Sequence, residues 1–196
     1  QNQNLSISSG TEKTKFLLSY NNTGQQGILS KHGYLRNSIR LKLNHEIWKG
    51  ITTDFNTNFQ DTRIEGGGSL AGALKMTILQ PPTGGKLFSD QQLTGTDISE
   101  TLLGYDSQYD VYNPIILNDA VTNMSHNRQF TVNGGFNFDI TKDIKFRTSG
   151  SYLFRQLRSD YWDDGRTKTA QNNGGPYGSR NNSEKYTWQI TNTLNW

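Results

Sequence analysis

The residues that most often carry chemistry are few in this sequence and stand far apart. His32, His45 and His126 fall on separate segments, cysteine is absent, and no H-E-x-x-H or G-x-S-x-G pattern occurs. Thiol catalysis, disulfide frameworks and zinc ribbons are excluded, and no cofactor is expected. Gly84-Gly85-Lys86 resembles the end of a phosphate loop, but Gln80 stands where the first Gly belongs and Leu87 where the Ser or Thr belongs, so it reads as a turn. Asp160, Asp163 and Asp164 with Gly165 form an acidic group with carboxylate oxygens of the kind that hold Ca²⁺. Their spacing is not that of an EF-hand, and a solvated loop is the simpler reading.

Binding chemistry is better represented than catalysis. Tyr105, Tyr109, Tyr112, Tyr161, Trp162 and Tyr177 lie among Asp, Asn and Gln in segments without periodicity. Such rings stack on sugar faces or pack peptide side chains while amides and carboxylates bond hydroxyls or backbone, which suits capture of a polar oligomer. The plainer reading of each ring is packing of loop on loop. Arg36, Arg40, Lys42, Arg147 and Arg155 fall instead at the polar positions of alternating segments, where they would line a wet lumen.

Those alternating segments are the elements that must position everything else. Leu35, Ile39, Leu41, Leu43 and Ile47 alternate with Arg36, Ser38, Arg40, Lys42, Asn44 and Glu46; after Trp48-Lys49-Gly50 the pattern resumes with Ile51, Thr53, Phe55, Thr57 and Phe59. Period two on both sides of a short turn is a hairpin. A second hairpin pairs Phe130, Val132, Phe136, Phe138 and Ile140 with Ile144, Phe146, Tyr152 and Phe154 across Thr141-Lys142-Asp143. Shorter alternations run through Leu5/Ile7, then Phe16/Leu18/Tyr20, and at the end Tyr186, Trp188, Ile190, Leu194 and Trp196. Seven strands are expected, near residues 3–9, 13–22, 34–47, 51–62, 128–141, 144–158 and 184–196, with a long loop at 63–127.

Connections 1–2, 3–4 and 5–6 are short and connections 2–3, 4–5 and 6–7 are long. In an up-and-down meander that puts every short turn at one rim and every long loop at the other, as in outer-membrane barrels. The expected fold is therefore all-β, an antiparallel transmembrane β-barrel segment of about seven strands with long extracellular loops. Closed bacterial barrels have an even strand number, so seven strands read as part of a larger barrel. Trp48 at a short turn, and Tyr20, Tyr34, Tyr161 and Trp162 near the long loops, suit interfacial girdles.

Composition agrees with this reading. Apolar residues make up only 32% of the chain while aromatics reach 11%, and no run of eighteen apolar residues exists to form a transmembrane helix. A membrane β-strand is signalled by alternation, not by mean hydropathy. The charge balance, 20 Lys+Arg against 17 Asp+Glu, is spread without a dense basic block, so nucleic acid is not an expected partner. Gln1-Asn2-Gln3-Asn4 has neither a basic nor an apolar leader segment, which places any signal peptide upstream.

Several phrases also carry a family likeness. Asn4-Leu5-Ser6-Ile7-Ser8-Ser9-Gly10-Thr11-Glu12-Lys13-Thr14, then Phe16-Leu17-Leu18-Ser19-Tyr20 and Gln26-Gly27-Ile28, resembles the first barrel strands after the plug in the SusC/RagA family of TonB-dependent transporters. Arg40-Leu41-Lys42-Leu43-Asn44-His45 with Trp48 and Ile51 is similar to that family's second hairpin. Leu70-Ala71-Gly72-Ala73-Leu74 through Ile78, a short helix stopped by Pro81-Pro82, is similar to a run in its long extracellular loop. The resemblance implies a partial barrel domain, without its plug, in the outer membrane of a Gram-negative, Bacteroidetes-like bacterium. It also implies import of oligosaccharides or peptides with a SusD-like lipoprotein lid, and coupling to TonB through the missing plug. The rival expectations are a passive porin-like channel and a secreted adhesin-like β-domain.

Overall fold

The computed structural model describes residues 1–68, 70–79, 105–106, 111–112 and 118–196. Seven strands form one antiparallel sheet: β1 (Asn2–Gly10), β2 (Thr14–Gln26), β3 (Gly33–Trp48), β4 (Ile51–Gly66), β7 (Val121–Asp139), β8 (Lys145–Asp163) and β9 (Tyr177–Asn195), each paired with its neighbour in sequence. Between β4 and β7 lie helix α1 (Leu70–Leu79) and a two-residue ladder of β5 (Tyr105–Asp106) and β6 (Val111–Tyr112). A five-residue helix, α2 (Lys168–Asn172), sits between β8 and β9. The helix expected from Leu70 is present; Pro81 and Pro82, expected to stop it, lie outside the described residues.

The register converts seven separate alternations into two continuous faces. Leu41 pairs Thr57, then Val132, Tyr152 and Trp188 on successive strands, whereas the adjacent step pairs Lys42 with Asn56, Asn133, Ser151 and Gln189. A slip of one residue on any strand would exchange the faces, so the alternation itself pins the register. Buried apolar side chains among the described residues number only Ala120, Val121 and Ala170, while Leu5, Ile7, Trp188, Ile190 and Leu194 are each more than half exposed. The sheet has no conventional core. Its apolar face needs an apolar medium outside the described residues, because water would leave that area unburied.

Across this face one row contains no polar residue but two tyrosines: Leu5, Tyr20, Ile39, Phe59, Phe130, Phe154 and Tyr186 stand directly opposite one another. The Phe154 and Tyr186 rings are 5.1 Å apart, a favourable tilted contact. From Phe130 to Ile140 the apolar face rises about 33 Å along the strand at 3.3 Å per residue. At the tilt of about 40° usual in membrane barrels that is about 25 Å, the height of their apolar band.

The strands are longer than the alternation indicated, and the surplus lies toward the long loops. β4 runs to Gly66, β7 begins at Val121 where the alternation began near residue 128, β8 runs to Asp163 and β9 begins at Tyr177 where the alternation began near 184. The expected loop 63–127 therefore shortens at both ends. Beyond the apolar band both faces are polar, so the hydropathy period disappears while the backbone ladder continues. Cross-strand ion pairs such as Asp61 with Arg128 and Asp160 with Arg180 take over from apolar pairs there.

Candidate functional site

The polar face carries the five basic residues expected to share it. Arg36, Arg40 and Lys42 alternate along β3, and Arg147 and Arg155 stand on β8 opposite Asn137 and Gln129. Arg147 is the most constrained. Its Nη1 donates to Asn137 Oδ1 at 2.7 Å and its Nη2 to Asp54 Oδ2 at 3.1 Å, so one guanidinium on β8 reaches β4 across the intervening β7. Gly135 on β7 makes this reach feasible: a Cβ there would meet Arg147 Nη2 at 3.2 Å, Asp54 Oδ1 at 3.3 Å and Ser149 Cβ at 3.3 Å. Asn137 completes the group by donating to Thr52 Oγ1 at 3.2 Å. A shallow recess of about 240 Å³ lies alongside, lined by Asp54, Asn133, Arg147, Ser149, Ser151 and Gln189 among others. Higher on the same face Arg155 donates to Asn127 Oδ1 at 3.2 Å, and Arg36 Nε is buried without a partner among the described residues.

The long-loop rim is assembled from three connections. Asn118 donates to the carbonyl of Ser30 at 3.0 Å and to its hydroxyl at 3.1 Å, joining the segment before β7 to the β2–β3 loop. Lys31, in the left-handed region at φ 62°, donates to the Asp119 carbonyl at 2.5 Å and pairs with its carboxylate at 3.0 Å. Arg166, beyond β8, pairs with Asp164 at 2.6 Å and reaches Asp119 at 3.3 Å. Lys31 and Arg166 hold the Asp119 carboxyl below the ordinary carboxylate range. Partial burial alone would raise Asp164, but Arg166 beside it outweighs that and draws it down. Beneath them Asp163, almost wholly buried, accepts from Gly165 N at 3.0 Å and from the Thr167 hydroxyl. Thr167 in turn caps α2 by accepting from Ala170 N.

The three carboxylates read together as a Ca²⁺ candidate go separate ways. Asp160 pairs with Arg158 and Arg180, Asp163 turns inward to Thr167, and Asp164 pairs with Arg166. Among the described residues no group of acidic, His or Cys side chains is arranged to hold a metal ion. The histidines are equally dispersed: His45 Nδ1 is 2.8 Å from Thr14 Oγ1, His126 Nε2 is 2.6 Å from Asp61, and His32 Nδ1 is 3.1 Å from the Ser30 carbonyl. Gly84 to Lys86 lie outside the described residues.

Of the six aromatic candidates, Tyr161 and Tyr177 come together, with hydroxyls 3.3 Å and ring centroids 5.6 Å apart. Both belong to strands and not to the loop where they were expected. Trp162, the next residue, points to the opposite face, where a Cβ on Gly178 would meet its ring at 2.8 Å. Tyr105 and Tyr112 pair in the small β5–β6 ladder, and Tyr109 lies outside the described residues. The girdle expectation divides in the same way. Tyr20 and Trp48 lie on the apolar face, whereas Tyr34 and Tyr161 alternate onto the polar one. Sequence reasoning missed Ser30, Lys31, Asn118, Asp119 and Arg166, which carry no local motif; only Thr167, a hydroxyl residue at the start of a short helix, had a readable signal.

No family model and no curated protein matches the chain. Among solved structures, the RagAB peptide transporter aligns with a TM-score of 0.69 and 15% identity, covering 98% of this chain and 22% of that one. The RagAB peptide importer in its "closed-closed" state gives 0.62 and 16% over 98% and 21%. The ferric yersiniabactin uptake receptor FyuA from Yersinia pestis gives 0.48 and 10% over 98% and 24%. The chain spans about a fifth of the RagAB chains it matches. At these identities the likeness is one of fold: the seven-stranded antiparallel sheet is arranged like part of the barrel in the RagAB structures.

Proposed function

We propose that the chain is a stretch of wall of an outer-membrane, TonB-dependent importer, non-enzymatic, that takes up peptides or oligosaccharides together with a SusD-like lipoprotein. The observation that carries this reading is the pair of faces: seven strands long enough to cross a bilayer share one apolar and one polar surface, with every short turn at one rim. The fold likeness to the RagAB peptide transporter favours peptides as the cargo. In this reading the apolar face meets lipid, Arg36, Arg40, Lys42, Arg147 and Arg155 face the lumen and plug, and Tyr161 with Tyr177 belongs to the extracellular vestibule. TonB acts through a plug outside this chain, and the lipoprotein covers the loop rim in a Gram-negative, Bacteroidetes-like cell.

The test uses the full-length protein. Spin labels at Leu41, Phe55, Phe136 and Trp188 should respond to a lipid-phase quencher, and labels at Lys42, Asn56, Asn137 and Gln189 should not. Equal quenching of the two sets removes the barrel reading. Accumulation of a fluorescent oligopeptide should cease in cells lacking TonB; uptake that continues unchanged would identify a passive channel instead.

A further inference from the structure

A charged patch lies on the apolar side, one step beyond the aromatic row. There Phe59, Phe130, Phe154 and Tyr186 give way to Asp61, Arg128, Gln156 and Glu184 at the next positions on the same face. Tyr20 and Tyr186 mark the boundary, their hydroxyls donating toward the loop rim to Asn37 and Glu184, each at 2.9 Å. Within two further steps come Arg63, Arg158 and Arg180, so four neighbouring strands each present one guanidinium. Their side chains are 44–67% exposed.

Two carboxylates are threaded between these cations, and each is shared. Asp61 accepts from Arg128 Nε at 3.2 Å, with His126 Nε2 at 2.6 Å and Arg63 Nε at 3.8 Å; Asp160 accepts from Arg158 Nε at 2.8 Å and Arg180 Nε at 2.6 Å. The bonds from Arg128 and Arg180 use Nε, and no hydrogen bond among the described residues engages their Nη groups. Glu184 is occupied by Tyr186 and by Gln156 Nε2 at 3.0 Å, and Glu65 stands at the patch edge one step beyond Arg63. Four guanidiniums share the patch with four carboxylates, and Arg158 also spends an Nη group on Asp160, so the donors left over are the Nη groups of Arg128 and Arg180, planar pairs whose geometry suits phosphate oxygens.

We propose that this patch binds the phosphate groups of outer-leaflet lipid headgroups, with the acyl chains lying against the aromatic row beside it. The proposal rests on the reading that the apolar face meets the bilayer. A headgroup layer is the phosphate source that the position of the patch selects, because it begins where the apolar band ends.

The experiment places the full-length protein in nanodiscs of mixed phosphatidylcholine and phosphatidylglycerol and counts the phosphatidylglycerol retained after extraction by native mass spectrometry. The Arg128→Gln/Arg180→Gln pair should lower retention by about fivefold for each arginine removed. Asp160→Asn, which releases Arg158 and Arg180 from their shared carboxylate, should raise it. Heat-modifiable gel mobility confirms that each variant has assembled. Equal retention by the assembled variants overturns the proposal, as does binding of inorganic phosphate by the detergent-solubilised protein as tightly as lipid. Lipid quenching at Leu41 and Trp188 separates the two levels. If it persists while retention is unaffected, the patch assignment alone fails; if it is absent, the membrane-facing reading fails with it.

Discussion

The two rims of the sheet solve the same task, closing a strand onto its neighbour, by different means. At the turn rim each connection is closed by residues a few positions apart. Thr141 Oγ1 accepts from the backbone N–H groups of Asp143 and Ile144 at 3.3 and 3.0 Å, and Gly50 takes the positive φ of 83° that the β3–β4 turn requires. At the loop rim the deciding contacts join residues 88 positions apart, Lys31 with Asp119 and Ser30 with Asn118. The turn rim is built by local conformational preference, and the loop rim by side chains that meet only once the strands have paired. The asymmetry leaves the loop rim free to vary without disturbing the register that the short turns set.

Substitutions at the two rims should therefore differ in reach as well as size. The largest effect is expected from Asp163→Ala, which leaves the Thr167 hydroxyl and Gly165 N–H without their buried acceptor, at a cost of about 1–3 kcal/mol. Hydrogen exchange should show amides of α2 and of residues 118–120 opening together while the turn rim stays protected; exchange confined to residues 164–172 would show that the loops are independent. Gly50→Val should cost about 1–2 kcal/mol by forcing a branched side chain into positive φ. Its effect should stay within the β3–β4 hairpin, and loosening of the loop rim would break the contrast. Thr141→Ala should cost about 0.5–1.5 kcal/mol, again local to its turn, read from urea unfolding of the full-length protein.

The smallest effect is expected at the exposed Lys31–Asp119–Arg166 chain. Lys31→Met should only slightly speed exchange near Asp119, since the pair is open to solvent. The pH dependence has a defined sign. Asp119 and Asp164 are held below the ordinary carboxylate range, so their contribution is complete above that range and is lost as pH falls through the lowered folded values. Loop-rim protection should be flat from about pH 8 to 5 and decline below about pH 4. A decline centred near pH 6 would show that these two carboxylates do not govern the rim.

Much of the wall was legible in residue order because a sheet with one apolar and one polar face imposes period two on every strand that crosses it. Leu41/Lys42, Phe55/Asn56 and Trp188/Gln189 needed nothing more than alternation to be sorted, and the short turns at residues 49–50 and 141–143 followed from where it paused. Strand length was not legible beyond the apolar band. Residues 121–127 and 177–183 carry no hydropathy period, and their ladder is sustained by pairs such as His126 with Asp61 and Arg180 with Asp160, whose partners lie on other strands.

Sequence by itself thus determined the faces, the hairpins and the alternation of short and long connections, since each depends on neighbours along the chain. Tertiary structure decided what sits beside what across strands. It sent Tyr161 and Trp162 to opposite faces while bringing Tyr161 to Tyr177, divided the three aspartates among separate partners, and aligned seven aromatic and aliphatic side chains into one row. Those outcomes depend on register, and register is a property of pairs of strands: a shift of one residue changes the face and a shift of two changes the neighbour.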